Sequence, residues 1–246
     1  METSNATNNS IDYNRINLYF TQGFGKILLK ITLFFAIVGI LCVVLKEFAV
    51  GVLCVFISLV LMWAAAKVMK KQPTDEEVDN AAMSQLASLK ERALNKLGID
   101  EEEVKEIPPM IFHGYEYSVL KPGINLALGA TLFKFGKDNR LRTNQYRVVM
   151  FFFSSNELYC YTYNFSLTED SKKESTDTYF YKDIVSVSTE TETATFLQIQ
   201  KYDYENFKLT TTGGTSISCS IREDEVEDAQ RSIKGMRSLI KEKKSV

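Results

Sequence analysis

The chain has 246 residues with one His, 29 Lys+Arg against 31 Asp+Glu, and 45% hydrophobic residues. That length and composition suit one or two packed domains. The nearly neutral balance argues against a nucleic-acid binder working through a basic surface, and one His leaves little room for His-based metal sites or Ser-His-Asp chemistry. Any enzyme would have to run on carboxylates, Lys or Tyr. The charge falls in blocks: residues 1–73 carry 7 basic and 3 acidic side chains, whereas 74–107 carry 4 basic and 10 acidic.

Residues 1–26 read as a polar tail. Residues 27–66 read as a transmembrane helical hairpin, its halves Ile27–Leu45 and Phe48–Ala66 separated by Lys46-Glu47. Each half approaches the roughly 20 residues that cross a hydrocarbon core. Basic residues flank the outer ends: Arg15, Lys26 and Lys30 before the first half, and Lys67, Lys70 and Lys71 after the second. Lys46 alone is basic in the connection. The positive-inside rule then places both termini in the cytoplasm, with the protein multi-pass in the inner or plasma membrane. Lys26, Lys30, Trp63, Lys67, Lys70 and Lys71 are the expected membrane-interface anchors, with Tyr19, Phe20 and Phe24 adding to an aromatic belt. Cys42, Cys54, Cys160 and Cys219 show no framework or metal spacing and read as free thiols of a reducing compartment.

Residues 74–107 form an acidic helical spacer. Thr74-Asp-Glu-Glu77 is a capping box, and apolar residues recur at Val78, Ala82, Leu86, Leu89, Ala93 and Leu97 before Gly98 stops the helix. Such a stripe either joins protomers in a short coiled coil or packs on its own domain. A second short helix is expected over Asp100–Ile107, closed by Pro108-Pro109.

From 108 to 244 the period changes to that of strands. Strong strands are predicted at Tyr146–Phe153, Glu157–Leu167, Thr178–Ser188, Phe207–Thr212 and Ser216–Ile221, with Gly213-Gly214 turning the last pair. Weaker ones fit Met110–Val119 and Leu126–Phe135. A helix from about Glu223 to Lys243 follows, with a stripe of Val226, Ala229, Ile233, Met236 and Ile240. About seven antiparallel strands and one C-terminal amphipathic helix resemble a pleckstrin-homology-like domain of the PH-like/GRAM-like kind. Tyr179-Phe-Tyr-Lys-Asp-Ile-Val-Ser-Val187 is similar to strands of bacterial membrane-anchored proteins that carry one. The fold class implied is α+β, a transmembrane hairpin and spacer followed by a PH-like β-barrel capped by a helix. A lipocalin-like or split-barrel arrangement stays open.

The candidate binding site is a basic cluster: Lys134, Lys137, Arg140, Arg142 and Arg147, opposed locally by Asp138 alone. Lys137-Asp-Asn-Arg-Leu-Arg142 matches the Lys…Arg-x-Arg pattern by which some pleckstrin-homology domains hold phosphoinositide headgroups, where guanidinium forks and an ammonium converge on phosphate. The competing reading is a solvated loop, because Gly136–Asn139 is turn chemistry. His113, alone in sequence, reads as a structural histidine. No phosphate-cradling glycine loop, HExxH motif or carboxylate pair stands out. The expectation is therefore a non-enzymatic scaffold without cofactor or metal, presenting its cytoplasmic domain to a protein partner or anionic lipid, with homo-oligomerisation left open. The alternative is a hairpin-forming channel or membrane-perturbing effector gated by that domain.

Overall fold

A computed structural model describes residues 11–21, 23–70, 72–104, 107–118, 132–196 and 200–244, with the side chains of 23–28, 68–70, 196 and 200 excepted. The chain divides into two compact units, 11–78 and 79–246.

In the first unit, α1 (Tyr13–Phe20) begins at Asp12, whose carboxylate accepts the Arg15 N–H at 3.0 Å. It buries Ile16, Tyr19 and Phe20, so part of the expected polar tail is an amphipathic helix. Helices α2 (Gly23–Val44) and α3 (Phe48–Lys70) pack against each other as a hairpin through a turn in which Lys46 adopts φ 66°. Glycine sets their closest approach. A Cβ on Gly51 would lie 2.6 Å from Val43 Cγ2, and one on Gly39 would lie 3.2 Å from the Gly51 carbonyl oxygen.

The hairpin corrects the expectation of two equal spans. Among the described residues only α3, over Phe48–Lys67, is long and apolar enough to cross a membrane. The apolar stretch of α2, Leu29–Val44, is shorter. At 1.5 Å per residue it covers about 24 Å of a core near 30 Å.

Thr74 caps α4 (Asp75–Ser84) as the capping box requires: its hydroxyl accepts the Glu77 N–H at 3.2 Å, and the Glu77 carboxylate accepts the Thr74 N–H at 3.0 Å. The single long helix expected over 74–97 is broken. Ser84 turns its hydroxyl onto the Ala81 carbonyl, and a 3-10 turn at Leu86–Ser88 precedes α5 (Leu89–Leu97). Gly98, at φ 68°, ends α5 as expected. The second short helix is one 3-10 turn, Glu101–Val104.

Among the described residues, the second unit contains three antiparallel sheets. β1 (Met110–Tyr115), β4 (Gln145–Phe153), β5 (Glu157–Ser166) and β6 (Lys172–Phe180) form one in that order. β2 (Phe133–Phe135) and β3 (Leu141–Thr143) form a hairpin between β1 and β4 in sequence, and β7 (Ile184–Phe196), β8 (Gln200–Thr211) and β9 (Ser216–Ser220) form the third sheet. The expected strand at Leu126–Phe135 lies outside the described residues except for β2.

These sheets do not close into a barrel. The predicted strand Thr178–Ser188 is interrupted by a 3-10 turn at Tyr181–Asp183, where the chain leaves one sheet for another. Tyr181 is driven into the core there, its hydroxyl donating to the Ser154 carbonyl at 2.8 Å. β6 and β7 are therefore both sheet edges.

The core lies between the four- and three-stranded sheets, where Phe112 stacks on Phe207 at 4.1 Å between ring centroids. Helix α6 (Val226–Lys243) covers it with Ala229, Ile233, Met236 and Ile240, four residues of the predicted stripe. The opposite face of β5, with Tyr161 and Tyr163, is covered by α5: Arg92 lies 5.3 Å over the Tyr163 ring and pairs with Glu174 on β6. The predicted apolar stripe thus packs α5 on its own domain.

Gly114 lets β1 pass β9 at backbone contact. A Cβ there would sit 2.4 Å from the Ser220 carbonyl oxygen. Gly114→Ala is expected to cost about 2 kcal/mol, lowering Tm by roughly 4–8 °C. Thermal unfolding of the full chain in detergent micelles, followed by near-UV circular dichroism, measures it.

Candidate functional site

The basic cluster lies mainly on the β2–β3 hairpin. Lys134 on β2 stands opposite Arg142 on β3, and Lys137 and Arg140 belong to the turn between them. That turn forms because Asn139 accepts φ 61° and the Gly136 N–H reaches the Arg140 carbonyl at 2.9 Å. Arg147 lies apart, on β4.

The five cations do not converge on an open anion cradle. Arg142 is 2% exposed and holds two carboxylates. Its Nε and Nη2 donate to Asp79 Oδ1 and Oδ2 at 2.9 and 2.8 Å, and its Nη1 and Nη2 donate to Asp138 Oδ1 and Oδ2 at 2.9 and 2.8 Å. Tyr115 on β1 donates its hydroxyl to Asp79 at 2.6 Å. Arg140 reaches Glu223 at 3.2 Å and Asp224 at 3.5 Å, just before α6. Arg147 pairs with Glu116 at 2.9 Å and donates to the Asn164 side chain and the Ser218 carbonyl.

The electrostatics follow from this geometry. Hydrogen bonds from Arg142 pull the Asp138 carboxyl down to about 2, against its partial burial. Burial, followed by the charge of Asp79, pushes the Tyr115 hydroxyl well above the usual tyrosine range. One guanidinium facing two carboxylates leaves a local excess of negative charge. The cleft beside it, lined by Tyr115, Tyr117, Tyr202 and Arg222 among others, measures about 20 Å³, room for one water but not a phosphorylated headgroup.

The remaining expected residues divide by unit. Trp63 and Lys67 lie together on α3, the ammonium 4.0 Å above the indole in a cation–π contact. Lys30 is exposed on α2. The side chains of Lys26 and Lys70, and all of Lys71, lie outside the described residues. His113 is engaged at both ring nitrogens, with Tyr146 Oη at 2.8 Å and Glu225 Oε2 at 3.1 Å. Cys160 and Cys219 are buried, and burial raises both thiols far above the reactive range.

Sequence reasoning missed Asp79, Tyr115, Glu223 and Asp224, the groups that meet the arginines. Asp79 lies 63 positions from Arg142, and local spacing carries no trace of such a pair. Its one signal was the excess of carboxylates over cations, 10 against 4, in 74–107. Comparison with known proteins adds no relative: no family model, curated protein or solved structure matches the chain.

Arg142→Met leaves Asp79 and Asp138 facing one another without their cation. A loss of about 3 kcal/mol is expected, the low end for a broken buried pair because both carboxylates are partly exposed. Adding Asp79→Asn and Asp138→Asn should recover most of it. Because Asp138 ionises at lower pH in the folded chain, its contribution is complete above about pH 4 and drains as pH falls toward 2. Acid unfolding followed by circular dichroism should therefore be less steep across that interval in Asp138→Asn than in the parent chain, Glu174 and Asp224 keeping part of the slope.

Proposed function

We propose that the protein is a non-enzymatic, membrane-anchored binding or scaffold protein, with the α2–α3 hairpin as anchor and the β unit as recognition module. The carrying observation is the surface of the hairpin. Among the described residues, twenty of the twenty-five exposed large apolar side chains lie between Leu29 and Trp63, including Ile40 at 64%, Phe56 at 63% and Val44 at 71% exposed. At roughly 1 kcal/mol each, half the value of full burial, exposing them to water costs about 20 kcal/mol. That exceeds the net stability of a typical domain. A lipid phase removes the cost, and both helices satisfy their backbone groups internally, as lipid requires.

In this reading both helices insert, α2 shielded partly by α3, and the flanking lysines hold both termini in the cytoplasm. Ser58 spends its hydroxyl on the Val55 carbonyl of its own helix at 2.8 Å, which favours an anchor over an aqueous path. The β unit is read as a PH-like module. Its order of a four-stranded sheet, a three-stranded sheet and a C-terminal helix supports that assignment. Anchoring would act by placement: a tethered domain meets a membrane-bound partner at an effective concentration near the millimolar range, so modest affinity suffices.

Alkaline carbonate extraction of cells expressing the full chain tests the anchor. The protein should stay in the membrane pellet, and a C-terminal reporter active only in the cytoplasm should be on. Release into the supernatant would refute the anchor, and an exported reporter would refute the topology.

A further inference from the structure

A cleft of about 240 Å³ runs between the start of β7 and the end of α6, lined by Ile184, Val185, Ser186 and Val187 on the strand and Arg237, Ile240, Lys241 and Lys244 on the helix. Three observations set it apart. First, β7 is an edge strand, and its register shifts between Ile184 and Ser186, leaving Val185 bulged outward and 61% exposed. Second, only five large apolar side chains outside the hairpin are exposed among the described residues, and two of them, Val185 and Phe180, stand at this corner. Third, the lining holds basic side chains and no carboxylate, whereas the cleft beside Arg142 contains Asp79, Glu223 and Asp224, and the one beside Arg147 contains Glu116 and Glu192.

Arg237 and Lys244 use their hydrogen bonds on the strand edge. Arg237 Nε donates to the Val187 carbonyl at 2.6 Å, and Lys244 Nζ donates to the Ile184 carbonyl. Carbonyl oxygens carry no net charge, so among the described residues neither cation is matched by a carboxylate in the cleft.

We infer that this cleft binds an acidic peptide segment in extended form, added alongside the edge of β7. The exchange conserves hydrogen bonds. The peptide's N–H groups take over the carbonyls of Ile184 and Val187, while Arg237 and Lys244 turn to its carboxylates in stronger, charge-assisted bonds. Apolar side chains of the peptide cover Val185, the exposed apolar residue of the lining. An anionic bilayer would satisfy the cations but not the strand edge, so the peptide is the better fit. The inference rests on reading the β unit as a recognition module and names its partner's chemistry.

The test uses the full chain in phosphatidylcholine nanodiscs and a fluorescein-labelled ten-residue peptide alternating Glu and Val, followed by anisotropy. The expected result is saturable binding that weakens with salt and is absent for a Gln–Val peptide. Arg237→Gln with Lys244→Gln should weaken binding at least tenfold, as should Val185→Asp, which leaves α6 untouched. Lys201→Gln, on the exposed part of β8, should bind as the parent does. No binding, equal binding by both groove variants, or displacement of the peptide by phosphatidylserine vesicles overturns the inference. Carbonate extraction of the same variants should be unchanged, so failure of the groove and failure of the anchor are distinguishable.

Discussion

The β unit is organised around one buried cation. Arg142 would be prohibitively costly at 2% exposure if alone, and it is tolerated because four charge-assisted hydrogen bonds to Asp79 and Asp138 saturate two sides of its planar fork. The constraint works in the other direction too. Because Arg142 requires both carboxylates, it fixes the turn carrying Asp138 and the stretch of α4 carrying Asp79, and through Asp79 the hydroxyl of Tyr115 on β1. A lysine could not replace it, since a point charge cannot present two forks. Three segments distant in sequence are held by one side chain, so the network specifies an arrangement more than it adds net stability.

That constraint also explains what was legible in the sequence. Local rules carried the capping box at Thr74 and Glu77, the left-handed stop at Gly98 and the core stripe of α6, because each depends on residues three or four positions apart. The charge of Arg140 and Arg142 was equally visible, but its partners Asp79, Glu223 and Asp224 come from other elements, and a solvated basic loop and a buried ion-pair network share the same local spelling. The strands followed a similar division. β4 and β5 announced themselves through aromatic and β-branched residues, whereas Lys172–Asp177 of β6 and Thr189–Thr193 of β7 are polar on both faces and carry no such signal. The break at Tyr181 was hidden because a buried tyrosine fits a continuous strand pattern as well as it fits a corner.

The hairpin depends on a different kind of contact. Gly39 and Gly51 allow α2 and α3 to approach where any larger residue meets Val43 or Val55, so dispersion between close backbones holds the pair. The small residues face inward and the large ones outward. A core helix of a water-soluble protein shows the reverse, which makes this inversion more telling than apolar composition alone.

The edges at β6 and β7 are guarded in different ways, and the difference bears on recognition. Along β6 the protection is local: Lys172, Lys173, Glu174 and Asp177 place charge on the strand itself, which discourages pairing with another chain. Along the outer half of β7, Glu190 and Glu192 serve the same end. At Ile184–Val187 the strand carries no charge, and its protection comes from Arg237 and Lys244 of α6 lying across the carbonyls. A guard on the strand cannot leave, but a guard carried on a long flexible side chain can exchange its partner without altering the fold. An apolar edge protected only by exchangeable cations resists uncharged or basic strands and admits an acidic one. Selectivity at this corner thus follows from the same bonds that keep the edge from aggregating.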